Sequence, residues 1–78
     1  MADEIMLIEV KRIDSRDRPF VVQIGREQFG QRHFTESLRF TGAHRAARVG
    51  ALLAEQFSMD GWDVIVIKDG KEKRLNGS

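Results

Sequence analysis

Apolar and polar positions follow a two-residue period over most of the chain and a helical period over one stretch only. From Glu4 to Ile13, Met6, Ile8 and Val10 share one parity, while Ile5, Leu7 and Ile13 share the other. That spacing predicts a strand. DSRDRP (14–19) reads as a turn or loop, with Asp, Ser and Pro as its punctuation. FVVQIG (20–25) aligns Phe20, Val22 and Ile24 and predicts a second strand, opened by Pro19. REQFGQR (26–32) reverses the chain around Phe29-Gly30. HFTESLRF (33–40) places Phe34, Leu38 and Phe40 on one parity and predicts a third strand. A helical start at Thr35 is the rival reading, but those three residues do not extend the stripe that follows.

The helical stretch begins at Thr41-Gly42, with Thr41 the expected N-cap. Ala43, Ala46, Ala47, Gly50, Leu53, Ala54 and Phe57 recur at i, i+3, i+4 and i+7, and Val49 and Leu52 widen the stripe. The small residues in it allow close approach to whatever the helix covers. SMDG (58–61) ends the helix. WDVIVIK (62–68) predicts a fourth strand, and Asp69-Gly70 predicts a tight hairpin. KEKRLN (71–76) is the charged return strand, suited to an exposed edge.

The predicted order is β-β-β-α-β-β, a two-layer α+β fold with one helix across one face of a mostly antiparallel sheet. It forms a single domain over 1–76. Gly77-Ser78 reads as a flexible tail of the kind an expression vector leaves.

One helix covers one sheet face, and a wet second face should be polar. Here the second parity carries Ile5, Leu7, Val21, Ile65 and Ile67. Left in water, each forgoes about 1.5–3 kcal/mol of burial, and together they form a large exposed patch. Three covers are open: a second copy packed sheet to sheet, a heterologous protein, or the chain's own loops and twist. The homodimer is the leading expectation. Its motive is strengthened by length, because 78 residues without cysteine cannot add disulfides to a thin core.

Composition narrows the function. The chain is 41% apolar and 32% charged, as in ordinary globular proteins. No run of apolar residues is long enough to cross a membrane, and MADEIML lacks the character of a signal peptide, so a cytoplasmic location is expected. Net charge is only +1, but residues 26–48 carry five arginines against two glutamates. Nine of the 13 basic residues are Arg, the residue suited to bidentate recognition.

Arg39, His44, Arg45 and Arg48 crowd the start of the helix while Glu55 lies near its end, an order that opposes the helix dipole. They are the candidate partner- or anion-binding residues. The alternative is that they pair with strand acids such as Glu36 or lie over the apolar stripe. His33 and His44 match no metal-ligand spacing. Asp60, Asp63 and Asp69 read first as turn residues. There is no thiol nucleophile, no local Ser-base motif and no phosphate loop. No metal, no cofactor and no enzymatic activity are expected.

The expected function is therefore a small interaction or regulatory module, homodimeric through the second sheet face, that binds a partner macromolecule. Its size and shape suit an accessory protein or a phage-type inhibitor. The alternative is weak nucleic-acid binding through segment 26–48, with Phe29, Phe34 and Phe40 interleaved among Arg26, Arg32 and Arg39.

Overall fold

A computed structural model of the chain describes residues 4–75; the expected tail at 77–78 lies outside them. The period-two segments form five strands. These are β1 (Glu4–Arg12), β2 (Phe20–Gln28), β3 (Gln31–Phe40), β4 (Val64–Lys68) and β5 (Lys71–Leu75), with helix α1 (Ala43–Met59) between β3 and β4. They make one sheet in the order β3-β2-β1-β4-β5. Only β1 and β4 pair in parallel; α1 carries the chain from the edge strand β3 across one face to β4. The other three neighbouring pairs are antiparallel. The α+β architecture expected from the pattern is thus observed, as a mixed sheet with one helix.

The helix-side core joins Met6, Ile8, Val10, Val22 and Val64 to Ala46 and Ala54, with Phe20, Ile24, Phe40, Leu53, Phe57, Trp62 and Val66 around it. These are the parities that the sequence assigned to that face. Gly50 explains how closely the helix lies: a Cβ there would stand 2.5 Å from Val10 Cγ2.

Three local expectations are corrected. The N-cap is Gly42, not Thr41, and no side chain caps the helix. Trp62 precedes β4 rather than opening it. Phe34 does not share a face with Leu38 and Phe40. The β2–β3 register slips between Ile24 and Gly25, so that Ile24 faces Glu36 while Gly25 faces Phe34. Thr35 is the extra residue of a β-bulge, and such a bulge reverses parity beyond it.

The bulge also settles what happens on the second sheet face. At Gly25 a Cβ would meet His33 O at 2.1 Å and Phe34 Cα at 2.7 Å, so β3 main chain occupies the space above that residue. The outer half of the β2–β3 hairpin thereby bends over the face opposite the helix. Leu7 is fully buried there, and Val21, Ile65 and Ile67 are 2%, 8% and 6% exposed; Ile5 packs half-buried against them. Of the three covers that the alternation left open, the chain's own fold is the one observed. Leu7, Ile65 and Ile67, with Ile5 against them, form a second, smaller cluster of the single chain, and Val21 is buried outside it.

Candidate functional site

Strand directions decide where charge collects. β1 and β4 end at the same pole of the sheet, where Val10 faces Lys68. β2 starts at that pole and β3 ends there, with Arg12 facing Phe20 and Phe20 facing Phe40. Helix α1 therefore begins there. This pole gathers Lys11, Arg12, Arg16, Arg18 and Lys68 together with Arg39, Arg45, Arg48 and Lys71. Asp14, Asp17, Asp69 and Glu9, the partner of Lys11, oppose them. Nine cations against four acids give a formal +5. The rest of the sequence holds four cations against eight acids, a formal −4, and the two parts restore the net +1.

Internal pairing sharpens the asymmetry. Away from the basic pole, Arg26 pairs with Glu4 at 3.7 Å and Arg74 with Asp63 at 3.6 Å. Arg32 bonds both Glu27 and Glu72. At the basic pole the one ion pair among the described residues is Lys11–Glu9, at 4.0 Å. Arg12 lies over the Phe20 ring, 5.8 Å from its centroid. Among the described residues no carboxylate is in ion-pair reach of Arg16, Arg18, Arg39, Arg45 or Arg48. The expected alternative, in which Glu36 neutralises the helix arginines, is not what the geometry shows.

Two shallow concavities share Arg45. One, about 300 Å³, is lined by Arg18, Arg39, Phe40, Thr41 and Arg45. The other, about 390 Å³, is lined by His44, Arg45, Arg48, Val49 and Leu52. The four residues singled out from the sequence thus form one continuous surface, joined by Arg18 from the β1–β2 loop. The start of α1 lies between them, with no acid in its first turn, and no base occupies its last turn. Its dipole therefore adds positive potential to the basic pole.

Sequence reading missed Arg12, Arg16 and Arg18, because they belong to a segment whose own charge balance is negative. It also included Arg26 and Arg32, which lie toward the other end of β2 and β3 and are neutralised there. Strand direction was the signal that separates these groups. His33 faces Arg26 in the outer hairpin, whereas His44 stands in the first turn of α1. The two histidines are not brought together. Asp60 and Asp63 line a concavity with Gly61 and Trp62, while Asp69 occupies the β4–β5 turn at the opposite end. Among the described residues no helix is long and apolar enough to cross a membrane.

Fold and site together define a small α+β domain, one helix on a five-stranded mixed sheet, with charge segregated along the strands. No protein-family model, curated protein or solved structure matches the chain.

Proposed function

We propose that this protein is a non-enzymatic interaction module that docks an anionic macromolecular partner on its basic pole. The observation that carries this reading is the set of arginines without internal acids: Arg18, Arg39, Arg45 and Arg48, gathered from a loop, a strand and a helix. Cations at a helix start oppose the dipole by about 0.3–1 kcal/mol each at low salt. Arginines held there without compensation are explained by an external anion. Because net charge is only +1, any affinity for polyanions must come from segregation of charge and not from its total. The reading invokes no self-association, since the chain itself covers the sheet face that motivated one.

Retention on a heparin matrix tests it. The wild-type chain should bind at about 50 mM salt and elute as salt rises, because polyanion contacts release counterions. The triple variant Arg39→Ala, Arg45→Ala, Arg48→Ala should run through. Flow-through of the folded wild type would refute the reading.

A further inference from the structure

We infer that the anion recognised by the basic pole is the phosphate backbone of a nucleic-acid duplex, bound without base readout. The inference rests on the reading just proposed and narrows it to one partner chemistry.

Three observations select this partner. First, the pole is poor in what protein partners need. Protein interfaces centre on apolar and aromatic side chains and are depleted in charge. Of the large exposed hydrophobics Phe29, Phe34, Leu38, Leu52 and Met59, only Leu52 borders the arginine concavities, beside Val49 and the half-buried Phe40. An excess of cations over acids is the charge character of nucleic-acid interfaces.

Second, the cations here are arginines on two adjoining concavities. Arg18, Arg39 and Arg45 line one together with Thr41, and Arg45 and Arg48 line the other along α1. Guanidinium groups match phosphate oxygens bidentately. The first-turn N–H groups of α1 add donors beside them.

Third, the pole offers no stacking platform. Single-strand binders lay bases on free aromatic faces. Here Arg12 occupies the Phe20 ring, and Phe40, which borders the Arg18–Arg39–Arg45 concavity, is half-buried against the helix-side core. Phe34 is exposed but stands beyond the bulge, near Gly25. Backbone contacts without stacking fit a duplex.

Fluorescence anisotropy with a labelled 20-base-pair DNA duplex tests the inference on the full chain. With about four phosphates neutralised, affinity should fall on the order of 10²-fold between 50 and 200 mM salt. Duplexes of unrelated sequence should bind alike. Arg18→Ala, Arg39→Ala and Arg45→Ala should each lower the salt slope by about 1, while Arg74→Ala should leave it unchanged. Arg45→Glu puts an acid in the first helical turn, where it favours the helix, so a melt showing the variant folded assigns its loss of binding to the lost cation. Tighter binding of the matching single strand would overturn the inference in favour of stacking. Tighter binding of polyglutamate would overturn it in favour of an acidic protein surface. Heparin retention without duplex binding sinks the inference and leaves the proposed module standing; loss of both sinks both.

Discussion

The Arg32 guanidinium grips the Glu72 carboxylate with two hydrogen bonds of 3.0 and 2.9 Å, and so ties β3 to β5, the two opposite edges of the sheet. Its Nε donates a third bond to Glu27 at 2.7 Å. Edges four strand spacings apart would lie about 19 Å from each other in a flat sheet. The bridge is possible because the hairpin bends at the Thr35 bulge. Cross-strand partners share a face, so Glu27, facing Ile5, and Glu72, facing Ile67, both stand on the helix-free side. The bridge crosses the side where Leu7, Ile65 and Ile67 are buried.

This bridge predicts a pH signature. Its hydrogen bonds hold the Glu72 carboxyl below its ordinary value of 4.5. A depressed folded value stabilises the fold above that ordinary value and loses its effect as pH falls through the depressed one. Thermal melts should therefore show a stability loss on acidification below about pH 4.5 that is smaller in Glu72→Gln. The difference should be modest and shrink with added salt, since both groups are exposed. Identical acid profiles for the two proteins would show that the bridge does not form in solution.

Gly25→Ala should be far more damaging than its size implies. The added methyl would drive into the His33 carbonyl oxygen, 2.1 Å from the Cβ position, and β3 backbone cannot yield as a side chain would. Overpacking of this kind costs about 1–3 kcal/mol. The hairpin would lift from the second face, so dye binding and faster amide exchange at Leu7 and Ile65 should accompany the lower melting temperature. An unchanged melting temperature would contradict the bend.

Much of this architecture was legible in the residues because it rests on local periodicity. The parities of Met6, Ile8 and Val10 against Ile5 and Leu7 named the two faces correctly, and the small residue at Gly50 marked the helix contact. What the alternation hid was the bulge. One extra residue at Thr35 sends Phe34 to the opposite face and bends the hairpin, and a pattern of period two carries no sign of it. The ranking of a second copy above the chain's own fold as the cover of the second face had that same origin. The site was half legible. Arg39, His44, Arg45 and Arg48 stood out against the helix dipole, but Arg18 joins them only through the way the strands run.

Phe29 is the least suited residue in its turn. Both two-residue hairpin turns have positive φ at both central positions: Phe29 at 51° with Gly30 at 79°, and Asp69 at 53° with Gly70 at 78°. This is the type I′ turn that favours Asn or Asp at the first position. A left-handed conformation costs most other residues about 1–2 kcal/mol, and Phe29 recovers little by burial, being 85% exposed. Phe29→Asn should raise the melting temperature by several degrees in this small domain. A fall would mean that Phe29 makes contacts in solution that its exposure does not show.

Arg45→Glu should stabilise the fold and abolish anion binding together. In the first turn of α1 a cation opposes the dipole and an anion complements it, each by about 0.3–1 kcal/mol at low salt. Arg45 has no carboxylate partner to lose among the described residues, so the reversal removes repulsion without breaking a bond. Denaturant melts at low salt should move to a higher midpoint with an unchanged slope, and the shift should shrink as salt is added. Heparin retention should drop in the same protein. A stabilised variant that binds as well as wild type would separate the helix charges from function. A destabilised one would mean that Arg45 has a structural role that the geometry does not reveal.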